Sequence, residues 1–184
     1  MEINSREDRL QRIIESEKIL NEIKDADVLL ERILTEARII VNADAGSIYI
    51  IEEDKLKIRY AQNTTQQKKL DPGQKLPFQS FSFPINEQSM CGYCVLTQSI
   101  INEPDVYAIS EDKKYSFNKS SDLVTGYRSK SIIAIPLVTV NGTILGVLQI
   151  INPQDKNGNI IPFDNDAVLF LKHFATSATQ ALER

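Results

Sequence analysis

Residues 89–107 read S-M-C-G-Y-C-V-L-T-Q-S-I-I-N-E-P-D-V-Y, residues 117–137 read F-N-K-S-S-D-L-V-T-G-Y-R-S-K-S-I-I-A-I-P-L, and residues 141–152 read N-G-T-I-L-G-V-L-Q-I-I-N. Small residues at the start of the first part suit a turn that opens a short helix. The second part is a polar loop rich in hydroxyl groups, and the third forms a tight hairpin with the strand before it. Together these parts predict a lidded pocket beside a sheet, which suits the binding of a small molecule better than catalysis.

The hairpin in this stretch has a strong sequence signal. Asn141-Gly142 favours a two-residue turn because both residues tolerate positive φ. The apolar runs on either side each predict a strand. A second hairpin is predicted earlier in the chain, where a polar turn separates two β-rich runs. The predicted strands span 45–52, 55–62, 79–84, 131–138 and 143–152.

The segment between these hairpins contains the predicted lid. A short helix is expected from Ser89 and Gly92 through Leu96, followed by an extended piece at 100–105. The segment 107–129 shows no clear period and predicts a long loop. Loops of that length in a compact domain usually cover a site or are disordered.

The N-terminal region predicts helix. Residues 6–40 contain neither Gly nor Pro, and their apolar residues recur at helical spacing. In the first half, the apolar stripe has roughly heptad spacing with charged interruptions, which predicts a short, imperfect coiled coil. Asp25 suits the start of a second helix, whose apolar face broadens from Val28 as in a helix that packs on a sheet. We therefore assign 1–27 to an N-terminal signalling or dimerisation helix.

The remaining residues, 28–184, predict one globular domain, because about 150 residues are enough to bury a substantial core. An amphipathic helix is expected over 167–183. Its pattern is still helical at the last residue, so we expect it to continue into an output domain. We also expect a homodimer that forms through the N-terminal and the terminal helix.

Composition argues against several kinds of partner. The formal net charge is −4, and the Lys and Arg residues are scattered among acidic ones. This leaves no broad basic face for nucleic acid or anionic lipid. There is neither an apolar run of about 18 residues nor the pattern of a secretion signal. We therefore expect a cytoplasmic protein with no nucleic-acid or membrane partner.

Cys91 and Cys94 have the spacing of a redox pair or of half a zinc site. The chain has two Cys and one His, too few to complete a zinc shell. A redox role stays open beside the simpler interpretation that both thiols pack in the core. The sequence also lacks a G-x-S-x-G elbow, a Walker loop and paired histidines. We expect no catalytic residues, no metal and no required cofactor.

The order of elements and several local motifs resemble the GAF domain. The resemblance covers about 28–183 and is strongest to the branch found in cyclic nucleotide phosphodiesterases and bacterial adenylyl cyclases. It implies an α+β fold: an antiparallel β-sheet with N- and C-terminal helices on one face and a loop and short-helix lid over a ligand pocket on the other. The motifs that carry it are Gly92-Tyr93 with Thr97, then 101–107, 125–131 with 135–137, and 146–152.

The resemblance also implies a site for a cyclic nucleotide, cAMP or cGMP, between the sheet and the lid. In that branch, backbone amides at the start of the lid helix bind the cyclic phosphate, and polar loop and strand residues bind the ribose or the base. A helix N-terminus suits an anion because its free amides and the helix dipole point at the ligand. The matching ligand-binding residues are Ser47, Gln62, Met90, Cys91, Asp122, Thr125, Ser129 and Gln149.

Two functions remain open at this point. The first is a non-catalytic regulatory sensor that binds a small ligand and signals through dimeric helices to an output domain: a cyclase, a phosphodiesterase or a histidine kinase. The second is a ligand-free dimerisation or spacer module. Asp122, Thr125 and Ser129 fit both functions, because such side chains either contact a ligand or cap the turn before a strand.

Overall fold

The computed structural model describes residues 5–76 and 82–184. The helices in these residues are α1 (Arg6–Glu22), α2 (Ala26–Val41), α3 (Thr64–Gln67), α4 (Met90–Thr97), α5 (Ser120–Thr125) and α6 (Asn165–Leu182). The strands are β1 (Ala43–Glu52), β2 (Lys55–Asn63), β3 (Ser82–Pro84), β4 (Ile101–Glu103), β5 (Ile132–Val138) and β6 (Ile144–Pro153). Of the strand predicted over 79–84, only the part in β3 falls within the described residues.

The strands form one antiparallel sheet in the order β3-β2-β1-β6-β5-β4. Both predicted hairpins are present, β1–β2 and β5–β6, because alternating apolar residues and a short polar turn favour local antiparallel pairing. The central strands β1 and β6 have neighbours on both sides and are almost fully buried. The sheet therefore separates two apolar cores, one on each face.

The first core, called here the helix-side core, lies between the sheet and the helices α2 and α6. Ile48, Leu148 and Ile133 point from the sheet into this core, and Phe174 from α6 meets them with no exposed surface. The second core, called here the lid-side core, lies under the lid, where Tyr49 and Val147 pack against α4. The predicted fold class is confirmed: helices cover one face and the lid covers the other.

The N-terminal helical region is divided in two. Residues 23–25 are not helical, and the Asp25 carboxylate accepts a hydrogen bond from the Val28 amide at 2.9 Å, which starts α2. α1 turns back and packs on α2, with Leu20 buried in the helix-side core. Asp25 thus acts as the helix start that the sequence predicted. The coiled coil and the homodimer stay predictions.

The segment predicted as a long loop over 107–129 contains the short helix α5. Asp122 is its buried residue, whereas the side chains of Leu123 and Val124 are each 82% exposed. Six residues are too few to show a helical period, so the sequence pattern missed this helix. In the part of the chain that the structure describes, no helix has the length and apolar character needed to cross a membrane.

Candidate functional site

Asp122 holds α5 against the chain that leads into β5. Its carboxylate accepts hydrogen bonds from the Tyr107 hydroxyl at 2.6 Å, the Ser129 amide at 2.9 Å and the Ser129 hydroxyl at 2.9 Å. Asp122 and Ser129 are both buried. A buried carboxylate needs such donors to offset the loss of water. Asp122 therefore closes the loop 107–129 onto the sheet.

Tyr107 is a part of this cluster that sequence reasoning did not assign to the site. The Arg128 guanidinium lies 3.5 Å from its ring centroid, and the Lys119 ammonium lies 5.2 Å away. The hydrogen bond to the Asp122 carboxylate is the main reason that the pKa of Tyr107 is raised. Cations over an aromatic face are attracted by its quadrupole. Tyr107 thereby gathers two positive charges at the outer side of the lid.

A second polar cluster lies at the floor of the lid-side core. The Tyr49 hydroxyl donates to Gln149 Oε1 at 3.1 Å, and Gln149 Nε2 donates to Cys91 Sγ at 3.5 Å. Ser47 pairs with Gln149 in the β1–β6 register. Burial raises the pKa of Tyr49 far above its usual range, which keeps its hydroxyl a donor. The structure thus brings Ser47, Cys91 and Gln149 together, and their role in ligand binding stays a prediction.

The start of α4 lies directly above this floor. The Ser89 hydroxyl accepts a hydrogen bond from the Gly92 amide at 2.9 Å and caps the helix. Met90 and Cys91 occupy the first two helical positions and are buried. The amides of these positions have no partner inside any α-helix. The contact between Cys91 and Gln149 places this amide-bearing end against the sheet.

Thr125 lies at the end of α5, where its hydroxyl donates to the Ser121 carbonyl at 2.8 Å. Its own carbonyl accepts a hydrogen bond from Gln66 at 3.2 Å, which joins α5 to α3. Thr125 therefore links two surface segments. The structure places it beside Asp122 on the same short helix, but its side chain is bonded to its own helix.

Gln62 lies apart from the other predicted residues. It faces α2, where its Nε2 donates to the Glu31 carbonyl at 3.0 Å and its Oε1 accepts from Arg38 at 2.8 Å. The cause is a β-bulge: Tyr49 pairs with Ile58 but Ile48 pairs with Tyr60, so β2 has one extra residue there. A shift of one residue moves the following side chains to the opposite face.

Two clefts open at other places on the surface. One, of about 450 Å³, lies at the end of β2 between α2 and the residues after α3, and Arg38, Gln62 and Lys68 line it. The other, of about 430 Å³, lies between α6 and β5 beside Ile135 and Thr176. Neither is lined by residues of the two lid-side clusters. The lid-side polar groups are instead bonded to one another.

The end of the lid is tied to the sheet by Asn152. Its Oδ1 accepts from the amides of Lys130 and Ser131, at 2.8 and 3.1 Å, and its Nδ2 donates to the Tyr127 hydroxyl at 2.9 Å. Tyr127 in turn donates to the Asp44 carboxylate at 2.8 Å. These bonds join the loop after α5 to the ends of β1 and β6, and they fix where the lid ends.

The two cysteines are buried free thiols. Burial raises the pKa of Cys91 to about 12, and it is also the main cause of the raised pKa of Cys94. Within the described ranges, 5–76 and 82–184, no group of three His, Cys, Asp or Glu side chains lies close enough together to hold a metal ion. Both thiols are therefore core groups of α4 in the lid-side core, and Cys91 also contacts Gln149 at its floor.

We expect these thiols to be unreactive in the folded protein, because the thiolate is the nucleophile and a raised pKa depletes it. At pH 8, alkylation of Cys91 and Cys94 by iodoacetamide should be at least about hundredfold slower than in the urea-unfolded chain. Mass spectrometry at timed intervals measures both rates. Folded and unfolded rates within a few fold of each other would contradict the burial of these thiols.

The sequence profile of the GAF domain matches residues 25–182, which is most of the chain. The chain belongs to the GAF domain family. Its relatives include the cGMP-specific 3',5'-cyclic phosphodiesterases of Drosophila pseudoobscura pseudoobscura and Drosophila virilis, each 28% identical over 162 residues. Those matches cover 86% of this chain but 14% and 17% of the relatives. In these phosphodiesterases the matched region is the GAF domain, which is a regulatory part of the protein and a small share of its length.

Solved structures agree on the fold. The GAF domain of a phosphoenolpyruvate-protein phosphotransferase from Acinetobacter superposes with a TM-score of 0.69 at 14% identity, covering 95% of this chain and 92% of that one. A free methionine-R-sulfoxide reductase from Neisseria meningitidis gives 0.69 at 16% identity, covering 100% and 95%. At such low identity these likenesses establish the GAF fold alone.

Proposed function

We propose that this GAF domain is a regulatory sensor that binds a cyclic nucleotide between the sheet and the lid. The contact between Cys91 and Gln149 carries the proposal, because it sets the start of α4 against the floor of the lid-side core. A helix start offers free amides and positive potential to a phosphate. Gln149 is uncharged, so the floor does not repel the anion there.

The cluster of Asp122, Ser129 and Tyr107 supplies the groups for the sugar and base. Asp122 and Ser129 are held on the lid by their mutual hydrogen bonds, and Tyr107 shares the same carboxylate. A bound ligand has to replace some of these bonds, so binding and lid position are linked. We infer that occupancy changes how the loop 107–129 sits on the sheet.

The phosphodiesterase relatives support cGMP as the first ligand to test and cAMP as the second. They also support a phosphodiesterase as the output domain, with a cyclase or a histidine kinase as alternatives. In this proposal the signal passes through a homodimer of α1 and α6. Sedimentation velocity at increasing protein concentration tests the dimer, which a persistent monomer would rule out.

A second function is a ligand-free dimerisation or spacer module. It is favoured by one observation: the polar groups of both lid-side clusters already have partners within the chain. Under this alternative, Asp122 serves only to hold the lid closed.

Isothermal titration with cGMP and with cAMP separates the two functions. The sensor should bind one of them saturably, with one site per chain and a Kd of about 10 μM or tighter, equivalent to roughly −7 kcal/mol. Because the ligand binds the folded state, the melting temperature should rise with its concentration. The open-chain nucleotide 5'-GMP is the control. Absence of both heat and thermal shift with either cyclic nucleotide would favour the spacer module.

A further inference from the structure

Glu36 is a buried charge that the lid-side site does not use. Its side chain has no exposed surface, and it lies on α2 facing α1. The carboxylate accepts two hydrogen bonds from Arg12, through Nε and Nη2, both at 2.9 Å. It accepts a third from the Ser16 hydroxyl at 2.9 Å and a fourth from Arg32 Nε at 3.0 Å. Three of the four bonds come from α1.

The apolar contact of α1 is small by comparison. Of its apolar side chains only Leu20 is buried, whereas Leu10 and Ile14 are 46% and 54% exposed. Its contacts to α6 include a hydrogen bond between Glu17 and the His173 imidazole at 2.8 Å and the Arg9 guanidinium 5.9 Å from the Phe170 ring centroid. α1 is therefore held by the Glu36 cluster together with the apolar contacts of Leu20 and the half-buried Ile13 with the helix-side core.

Such a contact favours reversible docking. Burying an ion pair removes water from both partners, and this loss offsets much of the attraction gained. When α1 leaves, Glu36 and Arg12 regain water together, so neither charge stays buried without a partner. A helix held by apolar contacts gains no such favourable hydration when it separates. α6, for example, buries Leu171 and Phe174 completely, which ties it to the folded sheet.

The connection between α1 and α2 permits the separation. Residues 23–25 are not helical, and α2 begins with its own cap at Asp25 without help from α1. The family profile matches residues 25–182, so it begins at the cap of α2, after the break that separates α1.

We propose that α1 is a reversible strap and that Glu36 is its latch: α1 undocks and redocks as a unit while the sheet, α2 and α6 stay folded. The cluster of Glu36 with Arg12 and Ser16 sets the balance between the two positions. This device does not require that the lid binds a nucleotide, so it is independent of the function proposed above.

Native-state hydrogen exchange on the full chain tests the strap in the parent protein. The α1 amides should exchange through a partial opening that depends weakly on urea concentration, whereas β1 and β6 amides exchange through global unfolding with a steep dependence. Equal urea dependence for α1 and the central strands would overturn the proposal, since α1 would then open only when the whole domain unfolds.

Glu36→Gln tests the latch directly. It keeps the size of the side chain but removes the charge that Arg12 and Arg32 share, so α1 exchange should rise at least about tenfold and keep its weak urea dependence. β1 and β6 exchange should rise by about the same factor, because the bonds from α1 to Glu36 are lost both on undocking and on global unfolding. Glu17→Gln, which removes the exposed pair with His173, should change α1 exchange by less than about twofold.

A latch variant with unchanged α1 exchange would overturn the proposal. So would α1 exchange that takes on the steep urea dependence of the central strands, because α1 would then open only by global unfolding. If Glu36→Gln does not fold, Arg12→Gln provides the same test, since it leaves Glu36 paired with Arg32 and removes only the bonds from Arg12.

Discussion

Asp122→Ala is expected to weaken cyclic-nucleotide binding by at least about 100-fold and to lower the free energy of unfolding by about 3 kcal/mol. The carboxylate accepts three hydrogen bonds, and its removal leaves the Ser129 amide and hydroxyl and the Tyr107 hydroxyl without that acceptor. Buried donors without partners are costly, so the loop 107–129 should lose its fixed position. Isothermal titration and urea unfolding measure the two effects.

Asp112→Ala is the matched control. Asp112 lies on the same loop but is exposed, and its carboxylate accepts a hydrogen bond from the nearby Ser110 hydroxyl. We expect its unfolding free energy to change by less than about 0.5 kcal/mol and its binding to match the parent. An Asp122→Ala protein that loses stability but binds as tightly as the parent would show that Asp122 only closes the lid. That result would remove Asp122 and Ser129 from the proposed site.

The antiparallel pairing of neighbouring strands in a hairpin follows from local sequence. Gly142 has a φ of +85° in the turn between β5 and β6, but Asn141 does not have a positive φ, so the predicted hairpin forms with a longer turn than the two-residue one expected. Alternating apolar residues identify the strands on either side, and the broad apolar face of α6 identifies a helix that packs on the sheet. Each of these signals lies within a few residues along the chain, so each could be identified without the structure.

The face on which Gln62 lies could not be identified in this way. Leu56 and Ile58 belong to the lid-side core, and strict alternation would place Tyr60 and Gln62 there as well. The bulge between Ile58 and Tyr60 instead puts Tyr60 in the helix-side core and Gln62 against α2. A bulge depends on how two strands pair, which the sequence of one strand does not reveal.

The contacts of the lid were also beyond sequence reasoning. Tyr107 and Asp122 are 15 residues apart, and Cys91 and Gln149 are 58 apart. The residue types were informative, since Asp, Ser and Gln in a loop or on a strand suit polar contacts. Their partners depend on how the long loop folds over the sheet, and no period in the sequence encodes that path. Glu36 shows the same limit, because its burial depends on α1 turning back onto α2.

Gly92→Ala is expected to destabilise the domain by about 3 kcal/mol and to weaken nucleotide binding at least about tenfold. A Cβ at this position would lie 2.1 Å from the Asn86 carbonyl oxygen and 2.7 Å from the Ser89 hydroxyl. The nearer atom belongs to the backbone, so the start of α4 has to move rather than a flexible side chain. That movement displaces the amides of Met90 and Cys91, which the proposed site assigns to the phosphate.

Gly142→Ala separates this steric effect from the general effect of losing a glycine. Its Cβ would meet nothing within 4 Å, but its φ of +85° is strained for alanine, so we expect a loss of about 1 kcal/mol and unchanged binding. Urea unfolding and titration with cGMP compare both variants with the parent. If Gly92→Ala lost no more stability than Gly142→Ala, the loop before α4 would be able to yield. If Gly92→Ala lost stability as expected but bound cGMP normally, the start of α4 would not be the phosphate site, because binding there requires those amides to keep their position.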